Sequence, residues 1–282
     1  MTEDEIRQAL QERGFLAPVV LQDFPAQYRQ MASGWFEMAE SFSRVGQRIA
    51  VRAIGQGHGA ADPRAYGTVL LLRTLQSYQA AFLLCSMGLA TEARMLIRSC
   101  FENAFCIAAL VKDPAKLVKA LEDDDKAAKK AQAKFLVADP TRMVCLDAKA
   151  KARLQKFAST VDQQWGKVRQ LAIDETAKST PLREAYLFYR LLSNDSCHPS
   201  ATSLSRHIIV LPDGHWDYQL GPEPANKLAD SLNIACHAIM SALVAFTELV
   251  NDADGNREVA AAVAAYSRVN DAVVAGQRDP SP

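Results

Sequence analysis

The sequence predicts an all-α fold, an up-and-down bundle of about seven long helices with a small β-hairpin inserted before the penultimate long helix. Long stretches are rich in Ala, Leu, Lys, Glu and Gln, the residues that favour helices. Aspartate or threonine precedes proline at 62–63, 113–114 and 180–181, as in a capped first helical turn. Residues 206–220 interrupt this pattern with β-branched residues, a Pro-Asp-Gly turn and alternating aromatic residues, which predict the hairpin.

The helices are predicted in order from their start and stop signals. Thr2 and Glu5 form a capping box for a short first helix that ends at Gly14. Gly88 predicts a tight turn, so the helices on either side of it should pack antiparallel. The remaining helices are predicted at 24–54, 63–87, 91–112, 114–137, 147–172, from 181 to about 198, 222–250 and 257–275.

Three segments follow from this order. Residues 1–60 form an N-terminal helical segment, residues 61–253 the bundle core with the hairpin at 206–220, and residues 254–282 a C-terminal helix with a frayed tail. A chain of this length is long enough to bury a sizeable core.

Composition argues against a charged or lipid partner for the chain as a whole. Lys+Arg and Asp+Glu both total 32, so no net field attracts nucleic acid or acidic membranes. The N-terminus lacks the basic and apolar regions of a signal peptide. The charge-free spans 74–91 and 231–247 contain polar residues, including Asn233 and His237, and are predicted as buried core helices rather than membrane spans. The six cysteines include no C-x-x-C pair, which indicates free thiols in a reducing cytoplasm.

A charged stripe lies inside the most apolar helical stretch. Arg94, Arg98 and Glu102 recur at every fourth residue, so they share one helix face among apolar neighbours. Burying such charges is costly unless they are paired. The stripe is therefore either a buried ion-pair network or the floor of a site.

A second marked segment runs from Tyr189 to Ser200. Asp195 and His198 are three residues apart and can share a helix face, so the carboxylate could orient the imidazole as an acid, base or ligand. Alternatively, His198 satisfies a buried carboxylate such as Glu102, and Ser193 caps or bonds the backbone. In both interpretations we expect the charged stripe to face this segment across the core.

The residue pattern predicts neither a metal nor a cofactor. Glu102, Asp195 and His198 would supply only half of a dinuclear carboxylate site, which usually needs two Glu-x-x-His pairs. The glycines at 55–59 follow no strand and precede no Gly-Lys-Ser/Thr, so they indicate a linker rather than a phosphate loop.

At the two marked segments the chain resembles an uncharacterised, mostly bacterial family of all-helical proteins, the DUF5677 family. The matching residues are Gly88-Leu89, Glu92-Ala93, Leu96 to Ser99 and Phe101-Glu102, then Tyr189, Leu192-Ser193 and His198 to Ser200. The resemblance spans roughly residues 65–250. It implies an all-helical fold and no established activity.

More distantly, the chain is similar to HEPN domains, many of which are metal-independent ribonucleases with an Arg and a His four to six residues apart. Here Arg190 and His198 are separated by seven residues, so Arg98 would have to supply the positive charge. In an enzyme of this kind, the spacing of the two marked segments makes His198, Asp195, Arg98 and Glu102 the candidate catalytic residues. Arg94, Ser193 and Arg190 would then be binding residues, with an arginine holding the phosphate bidentately.

Two function classes follow from these observations. The first is a non-catalytic interaction module, either regulatory or a partner in a defence or toxin operon, in which the polar cluster fixes the fold. The second is a ribonuclease or nucleotide-directed enzyme. RNA, a partner protein and a second copy of the chain remain open as partners; the segment 142–169, with seven basic and two acidic residues, offers only a weak basic face.

Overall fold

The structure, a computed structural model, consists almost entirely of helices. It describes residues 8, 11–57, 59, 62–196, 200–219, 222–223 and 225–277. The α-helices are, in chain order, α1 (Pro18–Met31), α2 (Ser33–Gln56), α3 (Pro63–Ser86), α4 (Ala90–Lys112), α5 (Pro114–Val137), α6 (Ala148–Trp165), α7 (Ile173–Lys178), α8 (Tyr186–Ser196), α9 (Ala201–Ser205), α10 (Ala225–Val250) and α11 (Ala253–Gln277). Short 3₁₀ turns lie at Pro140–Met143 and Arg183–Ala185.

The two strands form one antiparallel hairpin. Strand β1 (Ile208–Val210) pairs with β2 (Trp216–Tyr218), and Ile209 lies opposite Asp217. The hairpin stands before α10, the penultimate long helix. The predicted class, an all-α bundle with one inserted hairpin, is thus confirmed.

Local signals place the starts of α3 and α5. The Asp62 carboxylate accepts a hydrogen bond from the Arg64 N–H at 2.8 Å, and Asp113 accepts one from the Lys116 N–H at 3.1 Å. Each carboxylate satisfies an N–H that has no partner within its helix. Gly88 has a φ of 75° and ends the turn between α3 and α4, which pack closely against each other.

Three helices differ most from the prediction. The helix predicted at 24–54 is divided at Ala32, whose φ of −129° is not helical. The helix predicted at 147–172 ends at Trp165, because Gly166 has a φ of 62° that terminates it. The helix predicted from Pro181 begins later, at Tyr186, after the Arg183–Ala185 turn. The capping box of Thr2 and Glu5 lies outside the described residues.

Helix α4 lies at the centre of the bundle. It packs against α3 and α10 along much of its length and against α8 on a further side. Fully buried aromatic residues fill the space between the helices, among them Phe42 from α2, Phe101 and Phe105 from α4, and Phe246 from α10. All three predicted segments contribute to this one core, since α2 and α11 also pack into it.

Helix α10 is the one helix of the described chain that is long and apolar enough to cross a membrane. The stretch is Asn226–Val250, and 56% of its most apolar window is buried in the bundle. Core helices of globular proteins often meet the same criterion.

Candidate functional site

Arg98 connects α4 to α8 through its guanidinium group. Its Nε donates to the Ser193 Oγ at 2.9 Å, and its Nη2 donates to the Tyr189 hydroxyl at 2.7 Å. The same Nη2 lies 2.9 Å from Glu102 Oε1, one helical turn along α4. The guanidinium carbon also lies 4.8 Å from the centre of the Tyr189 ring. We refer to Arg98, Glu102, Tyr189 and Ser193 as the Arg98 cluster.

Ser193 and Tyr189 have the correct spacing to meet one arginine. They are four residues apart on α8, so both face α4, and the Ser193 hydroxyl donates back to the Tyr189 carbonyl at 2.8 Å. That bond leaves the Ser193 oxygen free to accept from Arg98. The cluster is partly covered, with 28% of the Arg98 side chain and 26% of the Glu102 side chain exposed.

Arg94, on the preceding turn of α4, contacts a different helix. It is buried, and its Nε donates to the Ser231 Oγ of α10 at 3.0 Å. Ser231 in turn donates to the Lys227 carbonyl at 2.9 Å. The stripe predicted from the sequence therefore divides, because Arg94 joins α4 to α10 and Arg98 joins α4 to α8.

The other predicted site residues either lie away from the Arg98 cluster or fall outside the described residues. Arg190 is exposed on α8, and in the described part of the chain it makes no hydrogen bond to the Arg98 cluster. It follows Tyr189 directly, so its side chain points about 100° away from the face that meets α4. The Asp195 side chain and all of His198 lie outside the described residues, so their predicted approach to the charged stripe stays a prediction.

A polar group that the sequence reasoning missed lies between α8, α10 and α11. The Tyr266 hydroxyl donates to Asn233 Oδ1 at 2.6 Å and lies 2.9 Å from His237 Nε2. Because the phenol gives its only hydrogen to Asn233, it accepts from His237, whose Nε2 then carries the hydrogen. The His237 ring stacks on Phe188 at 4.9 Å between centroids. Burial lowers the pKa of His237 and favours its neutral form.

A second missed residue is Glu223, in the loop that precedes α10. It is buried, its Oε1 accepts from the Thr91 N–H at 2.6 Å, and its own N–H donates to the Gly88 carbonyl at 2.8 Å. The carboxylate thus caps the start of α4, where the helix dipole favours negative charge. Burial and the nearby Glu223 raise the pKa of Tyr28 to about 12. For the group of Tyr266, Asn233 and His237, the only sequence signal was the spacing of Asn233 and His237 within an apolar run. For Glu223 there was no sequence signal.

A cleft of about 360 Å³ lies away from these residues, between the end of α4, the start of α5 and α7. Its lining includes three basic and three acidic residues: Lys112, Lys116, Arg169, Asp113, Asp123 and Glu175. This balance gives no preference for an anion or a cation. The cleft is not lined by the Arg98 cluster or by Arg94.

The described residues contain no group of three or more His, Cys, Asp and Glu that could hold a metal ion. Four described cysteines are buried free thiols: Cys85, Cys100, Cys106 and Cys236. Burial raises the pKa of each of them to about 12, so they stay protonated.

Comparison with known proteins agrees with the pattern of the two marked segments. The model of a family of unknown function, DUF5677, matches residues 64–215, more than half of the chain, and this range contains all of the Arg98 cluster. The chain belongs to the DUF5677 family. No curated protein and no solved structure matches it. The DUF5677 match establishes an all-helical domain without a specific role, and the similarity to HEPN domains stays a prediction.

Proposed function

We propose that this DUF5677 protein is a non-catalytic interaction module of the cytoplasm, and that the Arg98 cluster is structural. The observation that carries the proposal is the use of the Arg98 guanidinium within the chain. Ser193, Tyr189 and Glu102 all accept from or pair with it. An arginine that binds phosphate needs its fork of N–H donors directed at the ligand.

The position of the cluster supports the same proposal. The described cleft of about 360 Å³ lies elsewhere on the bundle, and Arg98 instead lies at the contact of α4 with α8. Paired charges at such a contact fix which helix faces lie together, a role known for buried polar groups in helical proteins. The buried free thiols agree with a reducing cytoplasm.

A metal-independent ribonuclease of a defence or toxin system is the second candidate. One observation favours it: Arg98 contacts the turn of α8 that leads to His198 and keeps 28% of its side chain exposed. In that function His198 would act as the base toward the 2′-hydroxyl, and Arg98 would stabilise the phosphorane. The Arg98 donors would have to exchange Ser193 and Tyr189 for the phosphate.

One experiment separates the two candidates. Purified protein is incubated with single-stranded RNA in EDTA, beside a HEPN nuclease that cleaves under the same conditions. We expect no cleavage above background for the wild type. We expect Arg98→Ala to lower the melting temperature, since the cluster is structural. Cleavage by the wild type that His198→Ala abolishes, with an unchanged melting temperature, would overturn the proposal and establish the ribonuclease.

A further inference from the structure

The β-hairpin is exposed on one face, while Ile208, Ile209 and Asp217 are partly buried. Its strands pair with each other and make only slight contact with the described helices. Val210, Trp216 and Tyr218 share one face and are 74%, 56% and 66% exposed. An isolated two-stranded hairpin is only marginally stable in water, and further strands stabilise it.

The outer edge of β1 offers unpaired backbone groups. The Leu211 N–H donates to the His215 carbonyl, and the Gln219 N–H donates to the His207 carbonyl. The backbone N–H and C=O groups of the odd-numbered residues 207, 209 and 211 therefore point toward β2. Ile208 and Val210 therefore direct their N–H and C=O groups away from β2. Among the described residues, no hydrogen bond satisfies these groups.

The edge of β1 lacks the features that usually protect an edge strand, whereas the edge of β2 has one. Charged residues commonly prevent edge strands from pairing with another chain. On β2 the Asp217 carboxylate accepts from the Tyr218 N–H at 2.7 Å and occupies that edge. Residues 207–211 contain no Asp, Glu, Lys or Arg. The open edge is therefore that of β1.

We infer that β1 pairs antiparallel with β1 of a second copy of this chain and extends the hairpin to a four-stranded sheet. In this register Ile208 of each copy lies opposite Val210 of the other, and each pair exchanges both of its N–H···O=C bonds. Ile209 lies at the two-fold axis, opposite Ile209 of the second copy. A charge at that position would repel its own copy, and isoleucine does not.

We choose the second copy as the occupant because self-pairing brings like residues together, and residues 207–211 contain no Asp, Glu, Lys or Arg that would repel its own copy. Donors and acceptors alternate symmetrically about Ile209, and Ile208 and Val210 are β-branched residues that pack well across a strand pair. The contact is short, well below the area that a permanent dimer buries. We therefore expect an association that depends on protein concentration. This inference is independent of the proposed function, since a ribonuclease could pair in the same way.

Cysteine cross-linking tests the register directly. In a background with Cys145→Ser and Cys197→Ser, Ile209→Cys places two thiols opposite each other, with Cα atoms about 4.5 Å apart. Leu211→Cys is the matched control, because residue 211 lies opposite His207 and its two copies are about 13 Å apart. Under mild oxidation we expect a disulfide-linked dimer from Ile209→Cys and none from Leu211→Cys. No dimer from Ile209→Cys, or equal dimer from both, would overturn the inference.

Sedimentation equilibrium over a wide concentration range tests the edge itself. The wild type should shift from the monomer mass of 30.9 kDa toward twice that value. Val210→Pro removes an N–H that β2 does not use, so the hairpin should persist while the dissociation constant rises at least about tenfold. Val210→Thr keeps the N–H and should associate like the wild type.

Two results would contradict the pairing. The first is a wild type that stays monomeric at every concentration. The second is a Val210→Pro variant that dimerises as well as the wild type, which would mean that another surface is used. Circular dichroism of each variant confirms that its helices are intact. If Trp216→Ser abolishes dimerisation and Val210→Pro does not, the copies meet through the aromatic face instead, which also rejects edge pairing.

Discussion

At the scale of single residues, the two arginines of α4 show how one stripe can serve two contacts. Arg94 and Arg98 are one turn apart, yet one bonds to α10 and the other to α8. Each hydrogen bond to a charged group contributes about 1.5–3 kcal/mol when its partners are held in place. Solvent weakens the contribution of Arg98, because its side chain is partly exposed.

We expect Arg98→Ala to lower the free energy of unfolding by about 1–3 kcal/mol, measured by urea denaturation. Arg190→Ala, at an exposed position of α8, is the matched control and should change this free energy by less than about 0.5 kcal/mol. The double variant of Arg98→Ala with Ser193→Ala should lose less than the sum of the single variants, because both remove one interaction. Additive losses would show that the two residues act independently.

His237 gives the stability of the protein a pH dependence. Burial lowers its pKa in the folded state below the ordinary value of about 6.5, so the unfolded chain binds a proton that the folded chain does not. The stability from neutral His237 is present above about pH 6.5 and is lost as the pH falls toward the folded-state pKa. We expect the melting temperature to fall between about pH 7.5 and 5.5 and the fall to be smaller in His237→Gln.

The exposed His215 supplies the control for this experiment. Its side chain is 83% exposed, so His215→Gln should keep the pH dependence of the wild type. An identical pH profile for His237→Gln and the wild type would mean that another group causes the fall.

At the scale of elements, the turn between α3 and α4 depends on a glycine for two reasons. Gly88 has a φ of 75°, which residues with a side chain rarely adopt, and a Cβ there would lie 2.3 Å from the Pro222 Cβ. The same turn accepts the N–H of Glu223, whose carboxylate caps α4. The loop before α10 and the start of α4 therefore form one packed unit.

Gly88→Ala should destabilise the protein by about 3 kcal/mol or more, because it adds a clash to the backbone strain. Gly214→Ala is the matched control: its φ is 83°, yet nothing lies within 4 Å of an added Cβ, so only the strain of about 1–2 kcal/mol applies. Urea denaturation gives the loss in the free energy of unfolding for each variant, and the difference between the two losses is the contribution of the clash. Equal losses would mean that Pro222 moves aside.

At the scale of the whole molecule, helices from all three predicted segments share one core. Phe42 of α2 and Phe246 of α10 are both fully buried within it. Arg52 of α2 also pairs with Asp252 at 3.0 Å and Glu258 at 2.8 Å, near the start of α11. The N-terminal and C-terminal segments are therefore held by the same packing as the centre.

We expect one unfolding transition, with circular dichroism and tryptophan fluorescence changing together. Phe42→Ala and Phe246→Ala should each lower the free energy of unfolding by about 3–5 kcal/mol within that transition. Val51→Ala, on the exposed side of α2, should have little effect because Val51 is 66% exposed. Two transitions, of which Phe42→Ala shifts only one, would show that residues 1–60 unfold as a separate domain.

The sequence by itself determined the helical class, most helix starts and the place of the hairpin. Asp62-Pro63, Asp113-Pro114 and the Pro-Asp-Gly turn act through bonds between residues close in the chain, so their pattern can be read directly. Prediction from the sequence failed where a helix boundary depends on a backbone conformation that no strong sequence signal marks, as at Ala32.

Only the tertiary structure decided which helix each polar residue meets. Spacing placed Arg94, Arg98 and Glu102 on one face, but it could not show that Ser231 and Ser193 lie opposite the two arginines. Nor could it show that Glu223, 132 residues from Thr91, caps α4. The physical reason is that helical periodicity fixes the phase of side chains within one helix, while the partner across a contact depends on how distant helices pack.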